Sequence, residues 1–253
     1  MRGAERLRRV ARRAYYSRRG VRELAALGRL PLLRREGPDL AHLAFYEEIA
    51  EGPVQRDEAL FLHALIRVVR PQTVVELGFL RGHSTFNFLR ALDPGARVYS
   101  FDIDPACEDF ARERFSHDPR LTYRTKSQDE LTPGDVDGRS AEFVFIDAAH
   151  ELSLNQATFE RLLPLLAPDA IVAIHDTGTV PRRFVAPDHF TQGIPQRWVG
   201  DAVEHQPDER AFVNWILAAH PEFAQLHLHS RHALRWGLTL LQRSAPLPRP
   251  AGI

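Results

Sequence analysis

The sequence predicts an α/β protein whose mostly parallel sheet is covered by helices on both faces and ends in an antiparallel hairpin. Two observations predict this fold. Short apolar runs alternate with amphipathic stretches through the middle of the chain, at the spacing of β-α-β units. Two further strand-like runs follow near the C-terminal end with only a short turn between them, and such close neighbours must pair antiparallel.

The elements follow in order from a helix over 55–69. Its apolar residues recur at helical spacing, and Pro71 ends the segment. These residues are Leu60, Phe61, Ala64, Leu65 and Val68. Five apolar runs then predict the parallel strands, over 73–77, 97–101, 121–125, 142–146 and 170–174. The stretches between them predict helices over 84–92, 105–115 and 155–166.

The remaining sequence completes the sheet and divides the chain. A helix over 208–219 precedes two strands over 222–230 and 234–242. We therefore expect one main domain with three attached segments. The main domain covers 55–243, an N-terminal helical cover or arm covers 1–54, an insert on the substrate side covers 177–207, and a flexible tail covers 244–253.

Composition excludes several classes of protein. The 33 Lys and Arg balance the 33 Asp and Glu, so the chain has no net field that would collect nucleic acid. The single cysteine, Cys107, excludes an internal disulfide and a multi-cysteine zinc site, which favours the cytoplasm. No run approaches the roughly 20 apolar residues of a membrane span.

The Arg-rich start of the chain has two interpretations. No apolar core of a signal peptide follows it, so a solvated helix or basic arm is one of them. The other is a surface that binds a membrane or a partner, including a second copy of the chain in a homo-oligomer.

The most informative motif lies between Glu76 and Ser84, where a strand enters a glycine turn and then a helix. Glycines let the backbone approach a ligand, and a helix N-terminus presents free N–H groups to an anion. Three residues separate Gly78 from Gly82, which differs from the GxGxxG of dinucleotide sites, and no phosphate-binding Gly-Lys-Ser/Thr loop exists. We expect a side chain at either glycine to block a ligand in a folded protein; the alternative is a structural turn.

A second motif follows the next strand. Asp102 stands at the carboxyl end of that strand, where open α/β sheets bind ligands, and an acid there can accept both hydroxyl protons of a ribose. Asp104 directly precedes Pro105, an arrangement typical of a helix start. We therefore assign the ribose to Asp102 and helix capping to Asp104.

With both motifs in place, the stretch 76–129 resembles the catechol O-methyltransferase-like branch of class I S-adenosylmethionine-dependent methyltransferases. That family has a Rossmann-like fold with a mostly parallel seven-stranded sheet. The resemblance extends over 55–178 and implies S-adenosylmethionine as cofactor. It implies that the residues lining the methionine end are Glu76, Gly78, Gly82 and Ser84. It also implies that Asp102 binds the ribose and that Ser127 and Gln128 flank the adenine.

The ends of strands four and five carry further polar residues. In the resembling enzymes, an aspartate at the position of Asp147 and an acidic or amide pair at those of His175 and Asp176 hold Mg²⁺ or a similar ion, and Asp147 also borders the cofactor. His175 departs from that pattern, because an imidazole suits Zn, Mn or Fe better than Mg. The alternative is that Asp147 orients His150 or the substrate and that His175 is a hydrogen-bonded histidine at a strand end.

His150 stands three residues after Asp147, where catechol-type enzymes carry a lysine base. A histidine is suited to removing a hydroxyl proton near neutral pH. We therefore interpret His150 as a general base; the alternative is that it caps the following helix.

The function predicted is an S-adenosylmethionine-dependent O-methyltransferase that acts on a hydroxyl of a small molecule such as a natural-product phenol or sugar. It would use a histidine base and a divalent metal. Two alternatives keep the cofactor site: a metal-independent N-methyltransferase and a cofactor-binding subunit without turnover. A dehydrogenase is disfavoured by the glycine spacing.

Overall fold

A computed structural model describes residue 54 and residues 56–181, 203–205, 207–228 and 237–243. The predicted N-terminal cover, the tail and most of the 177–207 insert lie outside these residues. The division of the chain into segments therefore stays a prediction.

The central sheet has seven strands in the order β3-β2-β1-β4-β5-β9-β8. The first five strands are β1 Thr73–Leu77, β2 Arg97–Asp102, β3 Leu121–Thr125, β4 Ala141–Ile146 and β5 Leu166–His175. They pair in parallel. β8 Phe223–Leu228 and β9 Leu238–Arg243 form an antiparallel hairpin against β5. The mostly parallel sheet with a C-terminal hairpin is thus confirmed. A separate two-stranded sheet of β6 Thr179–Pro181 and β7 Val203–His205 was not predicted.

Helices cover both faces of the sheet. They are α1 Arg56–Val69, α2 His83–Ala91, α3 Ala106–Phe115, α4 Leu152–Leu162 and α5 Pro207–Ala219. Side chains of α1, α2 and α3 pack against one face, and those of α4 and α5 against the other. Because helices cover both faces of the sheet, all five residues of β1 are buried. None of these helices is long and apolar enough to cross a membrane.

Two helix predictions were wrong in detail. The helix predicted to reach residue 166 ends at Leu162, because Pro164 cannot continue it and a 3₁₀ turn leads directly into β5. The apolar stripe predicted for α1 is also rotated. Leu62 and Ile66 are 1% and 0% exposed, whereas Val68 is 69% exposed. The buried stripe of α1 therefore includes Glu58, one turn before Leu62.

Candidate active site

The predicted site residues meet at the carboxyl edge of the parallel strands. The registers of β1, β2, β4 and β5 align one residue from each strand in a row, namely Leu77, Phe101, Ile146 and Ile174. The next residues along the chain are Gly78, Asp102, Asp147 and His175. Four residues predicted from separate motifs thus lie side by side at one edge.

This edge contains the point between β1 and β4 at which the order of the strands along the sheet reverses. From β1 the chain moves outward to β2 and β3, then returns to place β4 on the other side of β1. Ligands of open α/β sheets bind in the crevice at such a point. The segments that follow β1 and β4 contact each other closely here, because a Cβ on Gly78 would lie 2.2 Å from the backbone oxygen of Asp147.

The geometry changes the expectation for the two glycines. Gly78 has φ +99° and Gly82 has φ +73°, values that favour glycine. A Cβ on Gly82 would lie 2.5 Å from the ring of Phe115. Because protein atoms fill the space beside both glycines, a side chain there disturbs the fold itself, contrary to the expectation that only ligand binding would be lost.

Glu76 is a fully buried carboxylate at the end of β1. Its Oε2 accepts hydrogen bonds from the hydroxyls of Thr85 and Ser100. Burial outweighs these bonds and raises the pKa of Glu76 to about 7. Its Oε1 is buried with no hydrogen-bond partner among the described residues. This oxygen is available to a donor from a ligand.

Asp102 holds the loop that follows β1. Its Oδ2 accepts the backbone N–H groups of Phe79 at 3.1 Å and Leu80 at 2.8 Å, and its Oδ1 accepts that of Asp104 at 3.0 Å. A carboxylate has about four lone-pair sites, so about one remains for a ligand hydroxyl. The capping prediction for Asp104 is confirmed, because its Oδ1 accepts the N–H of Ala106, the first residue of α3, at 2.9 Å.

Ser127 and Gln128 follow β3. The side-chain amide of Gln128 donates to Oδ1 of Asn155 at 2.8 Å, which joins this turn to α4. Oε1 of Gln128 is buried and has no hydrogen-bond partner in the part of the chain that the structure describes. The hydroxyl of Ser127 donates to Asp129. Gln128 therefore offers a second free acceptor at the same edge of the sheet.

Asp147, His175 and Asp176 form a cluster whose candidate ligand atoms all lie within 4.8 Å of one another. Nδ1 of His175 lies 3.0 Å from Oδ1 of Asp147 and 3.2 Å from Oδ1 of Asp176. Its Nε2 lies 3.0 Å from Oε2 of Glu58 on α1. Burial alone would lower the pKa of His175, but the three carboxylates outweigh it and raise this pKa well above its usual value.

Negative charge is in excess in this cluster. Burial, as the largest cause, raises the pKa of Asp176 to about 6, and the charge of Asp147 acts in the same direction. Asp176 also has φ 57°, a conformation that few residues other than glycine adopt. The cluster is thus an electronegative site that would favour a cation.

His150 lies beside this cluster and is held by a second glutamate. Its Nδ1 hydrogen bonds to Oε1 of Glu209 on α5, and its Nε2 lies 3.8 Å from Oδ2 of Asp176. The hydrogen bond to Glu209 is the largest cause that raises the pKa of His150, to about 9. Asp147, which was one candidate for orienting His150, bonds to His175 instead.

Glu58 and Glu209 were missed by the sequence analysis. Each is a carboxylate in the first turn of its helix, on the same face as buried apolar residues. Glu58 precedes Leu62 and Ile66 by four and eight positions, and Glu209 precedes Phe212 and Ile216 by three and seven. A charged residue that extends a buried stripe was the signal that could have found them.

Comparison with known proteins gives a family for the central part of the chain. Residues 75–177 match the family described as "Methyltransferase domain". The chain is 28% identical over 140 residues to tapetum-specific methyltransferase 1 of Arabidopsis thaliana, a match that covers 52% of this chain and 58% of the relative. The match spans less than two thirds of that relative's length.

Two solved structures share the fold. An O-methyltransferase from Bacillus cereus in complex with SAH has 22% identity and a TM-score of 0.58, covering 82% of this chain and 90% of that one. The O-methyltransferase TomG from Streptomyces achromogenes, in complex with SAM, has 20% identity and a TM-score of 0.57, covering 82% and 89%. Residues 75–177 thus match a methyltransferase domain, and the seven-stranded sheet has the fold of these two O-methyltransferase structures.

Proposed function

We propose that the chain transfers a methyl group from S-adenosylmethionine to a hydroxyl of a small molecule, with His150 as the base. The observation that carries this proposal is the placement of His150. Its side chain is 49% exposed, beside Asp176 at the same edge of the sheet as the acceptor groups described above. Both solved O-methyltransferases that share the fold support the same reaction class.

The chain's own residues fit the cofactor. S-adenosylmethionine carries an ammonium at its methionine end, two ribose hydroxyls and an adenine amine. Glu76 offers a buried oxygen without a partner for the ammonium, and Gln128 offers another for the amine. Asp102 retains about one lone-pair site for a ribose hydroxyl. The Gly78–Gly82 loop, held by Asp102, leads into the N-terminus of α2.

Asp102→Ala should weaken the binding of S-adenosylhomocysteine by a free energy of about 1.5–3 kcal/mol, the range for hydrogen bonds to a charged group. Isothermal titration calorimetry measures this loss. Asp102→Asn keeps an acceptor oxygen and should bind with intermediate affinity. Asp104→Ala serves as the control, because Asp104 caps α3 at the same surface. Equal affinities for wild type and Asp102→Ala would remove Asp102 from the ribose site.

His150 would act on the acceptor directly. Its Nε2, the nitrogen that faces Asp176, takes the proton of the hydroxyl while the oxygen approaches in line with the methyl group. S-adenosylmethionine, when bound, would supply an activated methyl group on a sulfonium, and the electron pair of its carbon–sulfur bond would stay on sulfur as the acceptor oxygen takes the methyl group. The imidazolium formed is stabilised by Glu209 and Asp176.

Asp147, His175 and Asp176 also fit a divalent cation. The spacing of their ligand atoms and the excess of carboxylates support this assignment. Glu58 would hold Nε2–H of a neutral His175 and leave Nδ1 for the ion, an arrangement common behind metal-bound histidines. The nitrogen ligand favours Mn, Fe or Zn over Mg. Such an ion would lower the pKa of the acceptor hydroxyl as a Lewis acid.

Removal of bound metal should lower activity if this cluster holds a catalytic ion. We expect chelation to reduce methyl transfer, and Mn²⁺ or Zn²⁺ to restore it better than Mg²⁺. Elemental analysis of wild type and of Asp147→Asn gives a readout that is independent of turnover. Full activity in protein shown to be metal-free would exclude a catalytic ion and leave the methyltransferase proposal intact.

The acceptor class is tested by methyl uptake from labelled S-adenosylmethionine. Hydroxylated aromatic compounds and sugars form one set, and the matching amines form another. Transfer to the hydroxyl set alone is the expected result. Transfer to amines only would favour the N-methyltransferase, and tight cofactor binding without any transfer would favour a non-catalytic subunit.

A further inference from the structure

A buried carboxylate anchors the imidazole of His150 from a helix remote in sequence. Glu209 on α5 hydrogen bonds through Oε1 to Nδ1 of His150, across 59 residues. The side chain of Glu209 is 4% exposed, and that of His150 is 49% exposed. One end of this pair is therefore fixed in the interior while the other lies at the edge of the site.

The remaining contacts of His150 leave Nε2 open. The residue lies between β4 and α4, in a segment without regular secondary structure. Asp147 is the nearest acid along the chain, but it bonds to His175. Nε2 lies 3.8 Å from Oδ2 of Asp176, beyond hydrogen-bond distance. Among the described residues, Nδ1 is thus the anchored nitrogen and Nε2 is the exposed one.

The fold alone does not account for the carboxylate of Glu209. The residue begins a buried stripe that continues with Phe212, Val213 and Ile216, all 0% exposed. Its Oε2 is buried and has no hydrogen-bond partner within the described part of the chain. An apolar residue would avoid the cost of burying this charge. The contact with His150 is what distinguishes a carboxylate from an apolar side chain at this position.

We propose that Glu209 is the positioning residue of the methyl-transfer site: it accepts Nδ1–H of His150, fixes that tautomer and aims Nε2 at the acceptor hydroxyl. This inference rests on the proposed function. A neutral imidazole has one donor and one acceptor nitrogen, so an acceptor placed at Nδ1 keeps the lone pair on Nε2. In serine proteases, a buried carboxylate that accepts Nδ1–H of the catalytic histidine fixes its tautomer and orientation in the same way.

Nuclear magnetic resonance tests the contact without a substrate. The full chain, labelled with ¹⁵N-histidine and saturated with S-adenosylhomocysteine, is studied above the His150 pKa of about 9, where the ring is neutral. His150→Ala assigns the signals. We expect the Nδ1–H tautomer in wild type and a shift towards Nε2–H in Glu209→Leu. An Nε2–H tautomer in wild type, or unchanged signals in Glu209→Leu, would overturn the proposal.

Kinetics with the best acceptor from the methyl-uptake screen test the role. Above pH 9, where His150 is neutral in wild type, Glu209→Leu should lower kcat by about 10- to 100-fold, part of what a positioned base contributes, with KM for S-adenosylmethionine unchanged. Glu209→Gln keeps an acceptor oxygen and should retain more activity. In a His150→Ala background, Glu209→Leu should cause no further loss. Asp208→Asn, the neighbouring acid on α5, is the control and should match wild type.

The outcomes separate the two proposals. Full additivity of Glu209→Leu and His150→Ala would overturn the positioning role, as would equal losses in Glu209→Gln and Glu209→Leu. If Glu209→Leu fails to fold, the tautomer of His150 in Glu209→Gln, together with its kcat, still decides. Absence of methyl transfer by wild type to every acceptor would instead overturn the proposed function, and the tautomer experiment would then report on the contact alone.

Discussion

Above pH 9, where the His150 ring is neutral, His150→Ala should lower kcat by about 10²–10⁴-fold while S-adenosylhomocysteine binds as in wild type. The physical reason is that the ring contributes a proton acceptor at Nε2 and takes no part in the hydrogen bonds of Glu76, Asp102 or Gln128. Turnover is measured by methyl uptake, and cofactor affinity by calorimetry on the same preparation. A variant with wild-type turnover would show that His150 has only a structural role.

The pH dependence of this reaction follows from the state of His150. Its hydrogen bond to Glu209 raises its pKa to about 9, so the ring is protonated at neutral pH and cannot accept a proton there, contrary to the expectation of a base that acts near neutral pH. We expect kcat of wild type to rise about tenfold per pH unit below that pKa and to level off above it. In His150→Ala this acidic limb should disappear. A wild-type profile that is flat between pH 6 and 9 would contradict the base role.

Gly78→Ala should lower the free energy of unfolding by about 2–5 kcal/mol, from backbone strain together with overpacking. A Cβ at this position would lie 2.2 Å from the backbone oxygen of Asp147, and φ is +99°. The clash involves backbone atoms on both sides, so no side chain can move to relieve it. Chemical denaturation measures the loss.

Gly138→Ala is the matched control for this experiment. Gly138 also has a positive φ, of +69°, but nothing lies within 4 Å of a Cβ built there. It should therefore lose only the strain contribution, about 1–2 kcal/mol. Equal stabilities of the two variants would show that contact between β1 and β4 at Gly78 does not constrain the fold.

Much of the sheet could be predicted because its strands are short apolar runs bounded by polar residues. β1 and β3 were predicted to the residue. The start of β5 at Leu166 was missed, because the apolar residues around Pro164 continue the helical pattern of α4 and only the proline marks the change. The buried face of α1 was misjudged for a related reason. Its apolar residues surround the helix, and buried polar residues, Glu58 and His63, interrupt the stripe.

The site was predictable to the extent that it follows from strand ends. Asp102, Asp147 and His175 each end or follow a parallel strand, and parallel strands bring those ends together. Their helical partners could not be found in this way. The contact of Glu58 with His175 spans 117 residues, and nothing in the local pattern of α1 specifies which edge of the sheet its first turn will reach.

The positions of Glu58 and Glu209 have a consequence for how activity depends on folding. α1 packs on one face of the sheet and α5 on the other, yet each sends a carboxylate to a histidine at the same edge. Both glutamates lie outside residues 75–177, which match the methyltransferase family. Local opening of either helix would release a histidine while the residues assigned to the cofactor stayed in place. Early in thermal or proteolytic unfolding, we therefore expect methyl transfer to be lost before cofactor binding.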